Sequence, residues 1–254
     1  MKYLTKMAIL NLLHPFQTFI IGQKNIAPKI AAKHNIKLIF YGESEALYNN
    51  NPTTFYTSKV SDKYFSIKNF DDLVLAGIKI KDLYKSNYIN KSDLEVFFPL
   101  SNNEIKEKNI EMHYFGYYQK WIPQEIYYYA FNNTGYRPRP FRTDGTFSKY
   151  SSIDDKIDDL HYYTTFIKFG VGRASYDSSQ EIRNLHLTRE EGQSLVQRFD
   201  GEFPDRYFNE IMEFLELKPE RFHALCDEFR SPHLWKHENG VWNLRHSVNL
   251  DGTD

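Results

Sequence analysis

The chain has 254 residues, room for one large or two small domains, and a 41% hydrophobic content that suits a folded protein rather than a disordered one. Its net charge of −1 offers no global field to nucleic acid or to an anionic membrane surface. A single cysteine, Cys226, excludes an intramolecular disulfide and any Cys-x-x-Cys metal or redox motif, which fits a reducing cytoplasm.

The first residues, MKYLTKMAILNLLHPF, share two lysines and an apolar run with a secretory leader. Asn11, His14 and Pro15 interrupt that pattern, and no small-residue cleavage site follows. Nowhere does an apolar run approach the ~20 residues needed to span a bilayer. Residues 2–13 instead predict a helix with a broad apolar stripe ending before Pro15. Residues 16–21 read as a short strand stopped by Gly22, and 25–35 as a helix with Pro28 in its first turn. The apolar run 36–41 predicts a strand that leads into Gly42-Glu43-Ser44-Glu45. Helix, strand and acidic loop form half a unit of an open parallel α/β sheet, where ligands sit at the carboxyl ends of strands. One or two strands would leave the apolar faces bare, so the patterning predicts that part of the sheet domain is absent or is supplied by something else.

Further on, 46–66 is polar and loop-like, 72–83 and 92–98 are expected to be helical, and 101–111 is a charged surface segment. The aromatic run 112–121 predicts a strand, and Pro123 introduces a helix over 124–132. Residues 135–145 form a loop carrying Arg137, Arg139 and Arg142. Thr188 and Glu191 make a capping box that opens a helix to about 200. Two more helices, 204–217 and 219–229, each begin near a proline. Asn239-Gly240 between strand-like runs signals a hairpin.

The residues that suggest chemistry concentrate in 150–191, YSSIDDKIDDLHYYTTFIKFGVGRASYDSSQEIRNLHLTREE. Asp154 with Asp158, and Asp155 with Asp159, stand four apart. On a helix each pair would share a face and call for a cation, unless the acids simply favour a helix start. Gly170-Val171-Gly172-Arg173 suggests a tight bend that aims backbone amides and Arg173 at an anion, with Lys168 just before it; a plain turn reads equally well. Arg183 lies ten residues beyond Arg173. Glu43 and Glu45 are candidates for Mg²⁺ or substrate contact, or exposed acids at the end of a strand. His14, His34, His113 and His161 show no metal-ligand spacing and read as structural, as does Cys226 among Phe222, Leu225 and Phe229.

Together, IKLIFYGESEALYNN, the whole 150–191 stretch and RFDGEFPDRYFNEIMEFLEL resemble the N-acetyl sugar amidotransferase family of surface-polysaccharide, LPS and nonulosonic-acid biosynthesis. These proteins are related to asparagine-synthetase-like PP-loop ATP pyrophosphatases. The resemblance implies a partial PP-loop (HUP-like) parallel α/β domain over 1–130, then a substrate-site and mostly helical region over 131–254. It implies conversion of an acetamido to an acetamidino group: ATP activates the amide oxygen, and ammonia from a glutaminase subunit displaces AMP. In that picture Glu43 and Glu45 attend pyrophosphate and Mg²⁺, Lys168 and Arg173 stabilise phosphate charge, and Asp154, Asp158 and Arg183 shape the sugar site. The family's Ser-Gly-Gly-x-Asp-Ser ATP loop has no counterpart, since the sequence holds no Gly-Gly dipeptide. The expectation is therefore the C-terminal portion of such an enzyme, inactive without a separate ATP-loop half. The alternative is a non-catalytic sugar-binding or interaction remnant.

Overall fold

The computed structural model describes residues 1–42, 57–60, 73–86 and 88–248. The chain divides into one unit of residues 1–12 and 16–121 and a second of 13–15 and 122–254.

In the first unit α1 (Lys2–Leu12) buries Leu4, Thr5, Ala8 and Ile9, one helical stripe. The run expected as a strand at 16–21 is the first turn and a half of α2 (Gln17–His34). Its buried positions, Thr18, Asn25, Pro28 and Ala31, recur at helical rather than alternating spacing. Pro28 thus sits inside the helix and frees the Lys24 carbonyl four residues back; the Tyr41 hydroxyl donates to that oxygen at 3.3 Å. Strand β1 (Leu38–Tyr41) follows.

The helix expected at 72–83 is instead a hairpin, β2 (Val74–Leu75) with β3 (Ile78–Lys79), closed by one helical turn, α3 (Ile80–Leu83). Ala76 and Gly77 both take positive φ, 54° and 76°. Distant side chains hold this turn: the Ala76 amide donates to Gln17 Oε1 at 2.7 Å, and Asn11 Nδ2 donates to the Ala76 carbonyl at 2.9 Å. These long-range bonds override a helical pattern that exists only locally.

A short α4 (Lys91–Leu94) runs into a 3₁₀ turn (Glu95–Phe97). Then α5 (Asn102–Glu107) is capped by Ser101 and Glu104. Strand β4 (Glu111–Tyr114) pairs parallel with β1, Leu38 opposite Glu111 and Tyr41 opposite Tyr114. Its aromatic continuation is a helical turn, α6 (Phe115–Tyr118), not more strand. One face of this pair, Ile39, Tyr41, Met112 and Tyr114, packs with Ala31, Ile105 and Ile110. On β1's other face Leu38 and Phe40 are 47% and 48% exposed. Parallel sheets ordinarily have both faces covered; here Phe40 meets the rings of His113, Phe115 and Tyr118 edge-on yet stays half exposed.

The second unit is mostly helical: α7 (Pro123–Asn133), α8 (Ile157–Phe169), α9 (Arg173–Arg183), α10 (Arg189–Phe199), α11 (Asp205–Leu215) and α12 (Pro219–Phe229). A hairpin, β5 (Trp235–Glu238) and β6 (Val241–Leu244), turns through Asn239-Gly240, both at positive φ. Leu160 and Ile167 of α8, Phe208, Ile211, Met212 and Leu215 of α11, and Phe222, Leu225 and Cys226 of α12 form the core. Trp235 Nε1 donates to the Ile167 carbonyl at 2.8 Å and ties the hairpin to α8. The class is thus mixed α/β, a small parallel sheet followed by a helical region.

Candidate functional site

The bend between α8 and α9 has an occupant of its own. Gly170 ends α8 at φ 68°, its amide donating to the Phe166 carbonyl at 2.8 Å. Ahead of α9, the amides of Gly172 and Ser175 donate to the Asp200 carboxylate at 2.9 and 3.1 Å, and the Ser175 hydroxyl donates at 2.5 Å. A Cβ on Gly172 would lie 2.6 Å from Asp200 Oδ1, so glycine is what lets the carboxylate seat. The amides expected to hold a ligand's anion are therefore spent on Asp200, an anion that the chain carries itself. Burial pushes the Asp200 carboxyl up, and these hydrogen bonds oppose it.

The same linker does more. Glu202 holds Arg142 through both guanidinium nitrogens and accepts the Gly145 amide at 2.8 Å. Gly201, at φ 79°, leaves room for the Phe166 ring, which a Cβ would meet at 2.3 Å. Asp200-Gly201-Glu202 thus cinches α9 and the arginine loop to one point. Arg139 is likewise committed: 8% exposed, it pairs with Asp159 at 2.9 Å and donates to the Asp155 carbonyl at 2.9 Å.

The four aspartates separate. Helix α8 begins at Ile157, so Asp154 and Asp155 precede it, and Asp155 Oδ1 accepts the Ile157 amide at 2.7 Å. Asp159 is buried against Arg139. Asp158 is left on a separate polar chain. The Ser152 hydroxyl bonds to it and meets the Tyr162 hydroxyl. Tyr162 Oη accepts Arg173 Nη1 at 3.1 Å, and Arg173 Nε donates to Asp177 Oδ1 at 2.8 Å. Asp177 Oδ2 accepts the Thr146 hydroxyl at 2.6 Å. Burial pushes Asp158 up to about 6; the Ser152 bond opposes it, Asp155 and Asp154 add to it, and Arg173 opposes it. Burial also pushes the Tyr162 phenol up to about 12. The result is a carboxyl that changes charge near neutrality beside hydroxyls and a neutralised guanidinium, a set suited to a polar, uncharged ligand such as a sugar.

Of the residues singled out in the sequence, the structure brings Asp158 and Arg173 together and places Asp154 close enough to raise Asp158. Lys168 and Arg183 stand elsewhere. Lys168 lies ten residues along α8 from Asp158, about 15 Å at 1.5 Å per residue, and packs over the rings of Phe169 and Phe229. Arg183 is about as far from Arg173 along α9, itself exposed in the last turn, a position that suits a cation. Glu43 and Glu45 lie outside the described residues. Ser152, Tyr162, Thr146 and Asp177 carry no spacing signal and emerge only from the fold. His14 and His161 stack at 5.0 Å, and burial pushes them down to about 4 and about 3, neutral spacers. Burial pushes the Cys226 thiol up to about 12, a core group.

At the glycine bend itself the amides hold Asp200 and Arg173 is paired with Asp177, so these groups are already engaged within the chain. Nor do the described residues gather three His, Cys, Asp or Glu side chains around a metal position. Among them no helix is long and apolar enough to cross a membrane. Residues 144–249 match the family model described as LPS biosynthesis protein WbpG-like, C-terminal domain. This range holds the Asp158–Arg173 chain and the Asp200 clamp, and the match supports the LPS-biosynthesis part of the expected family. No curated protein matches the chain.

Proposed function

We propose that this chain serves LPS biosynthesis by binding an N-acetylated sugar, as the sugar-site portion of an amidotransferase that turns an acetamido into an acetamidino group. The observation that carries the proposal is the coincidence of the WbpG-like range, 144–249, with the Asp158–Ser152–Tyr162–Arg173 chain. Asp158, Ser152 and Tyr162 would bind and orient sugar hydroxyls, and Asp177 would hold Arg173 in place for them. ATP and Mg²⁺ would be bound by an ATP-loop half outside the described residues, and ammonia would arrive from a glutaminase subunit.

The test mixes the chain with an ATP-loop protein, an N-acetyl sugar nucleotide, ATP, Mg²⁺ and ammonia, and measures AMP. Sugar-dependent AMP is expected; its absence under saturating conditions would sink the amidotransferase. The filled amide bend favours a second reading, a binding module without phosphate chemistry of its own. That reading predicts sugar binding by calorimetry without AMP formation under any complementation.

A further inference from the structure

Beside the Asp158 chain lies a second group of side chains, linked to it by one tyrosine. The Tyr150 hydroxyl donates to Glu181 at 3.5 Å, and Asp177 and Arg173 both act on the charge of that phenol. Glu181 is 5% exposed, and its other oxygen holds His186 Nδ1 at 2.6 Å. A carboxylate accepts only, so Nδ1 carries a proton toward Glu181 and Nε2 is the ring nitrogen on the other side. The imidazole is therefore pre-oriented, with Nε2 outward and 4.0 Å from Glu125 Oε1 of α7. Glu125 is two-thirds exposed, so the pair presents an imidazole nitrogen and a carboxylate side by side.

Apolar groups border that pair. Tyr128 and Tyr129 follow Glu125 by three and four positions, hence share its helix face, and are 55% and 69% exposed. Next to His186, Leu185 is 91% exposed. It also sits at the position after the helix cap where glycine is favoured, at φ 62°, with its amide on the Ile182 carbonyl and that of His186 on the Glu181 carbonyl. Leucine there forgoes burial and strains the backbone, two costs that glycine would not incur. Oriented hydrogen-bonding groups edged by aromatic and aliphatic surface match a pyranose, which has an apolar face and a polar rim.

We propose that His186 and Glu125, backed by Glu181 and edged by Tyr128, Tyr129 and Leu185, form a sugar subsite. There ring hydroxyls hydrogen-bond to His186 Nε2 and donate to Glu125 while the pyranose face rests on the apolar side chains. The inference rests on the sugar-binding reading above and names a separate contact region for it.

The test titrates the full chain with UDP-N-acetylglucosamine and, separately, with chitobiose, by calorimetry at pH 8. His186→Gln, Glu125→Gln, Leu185→Gly and Asp158→Asn run in parallel, each with a melting curve. Wild type is expected to bind one of the two probes at millimolar affinity or better. His186→Gln and Glu125→Gln should each weaken binding about fivefold, the value of one hydrogen bond. Leu185→Gly is the diagnostic variant: it should melt higher, by relief of the left-handed strain, yet bind several-fold more weakly. A purely structural leucine would give the reverse, a lower melting temperature and unchanged binding. If only Asp158→Asn weakens binding, the subsite is overturned and the sugar-binding reading stands; if neither probe binds wild type, both fall.

Discussion

Asp158→Asn tests the electrostatics of the candidate site. The Asp158 carboxyl titrates near 3.8 in an unfolded chain and at about 6 in the folded one, chiefly through burial. A raised acid pKa means that the native state holds the proton more tightly, so stability is greatest below about 4 and falls as pH rises toward about 6. Above that the loss is constant. Two pKa units correspond to about 3 kcal/mol at 1.36 kcal/mol per unit, of which roughly half is already felt at pH 5. Asparagine keeps the shape and an acceptor for Ser152 but cannot ionise. The difference in unfolding free energy, variant minus wild type, should therefore grow by about 2.5 kcal/mol between pH 4 and pH 7. Urea titrations at half-unit pH steps measure it directly. A difference that stays flat across that interval would refute the reasoning, because it would mean that Asp158 is solvated as well in the folded protein as in the unfolded one. The parallel binding titration completes the test: a carboxylate that costs stability at neutral pH yet contributes nothing to sugar affinity has no role in the proposed site.

Three further outcomes follow from the packing. Asp200→Ala strips two amides and one hydroxyl of their acceptor and should cost about 2–3 kcal/mol, read as a drop in melting temperature, with Gly172→Ala moving the same way; an unchanged melt would show that water replaces the carboxylate. Asp159→Ala leaves Arg139 buried without its carboxylate and should cost about 3–5 kcal/mol, whereas Arg139→Met with Asp159→Leu should recover most of the loss; a cost under about 1 kcal/mol for the single change would class the pair with exposed ones. The half-exposed Leu38 and Phe40 of β1 should bind a hydrophobic dye, and Leu38→Lys with Phe40→Lys should abolish most of the signal; a monodisperse, dye-silent wild type would refute the exposed face.

Much of the fold was legible because it is encoded locally. Pro123 and Pro219 open helices, Thr188 with Glu191 caps one, and Asn239-Gly240 turns a hairpin, each through chemistry within four residues. The failures share the opposite property. Residues 16–21 have the composition of a strand, yet their buried side chains repeat with the period of the helix that continues through Pro28. Residues 72–83 have helical periodicity, but Gln17 and Asn11, some sixty positions away, supply bonds that favour the Ala76-Gly77 turn.

The site shows the same division, and the glycine bend shows why. Two glycines before a helix pointed either to a ligand's anion at its N-terminus or to a plain turn; what sits there was not a local fact. The chain provides its own in Asp200, 28 residues after Gly172, and the fold delivers it. The aspartate cluster behaves likewise: spacing alone signalled crowded negative charge and a need for relief. Relief comes by two routes, which sequence distance could not reveal. Arg139 neutralises Asp159 by pairing, while burial favours the protonated form of Asp158. Only the second route leaves a group whose charge a bound sugar or a small change of pH can alter. For that reason Asp158, rather than the cluster as a whole, is the point at which to probe the function.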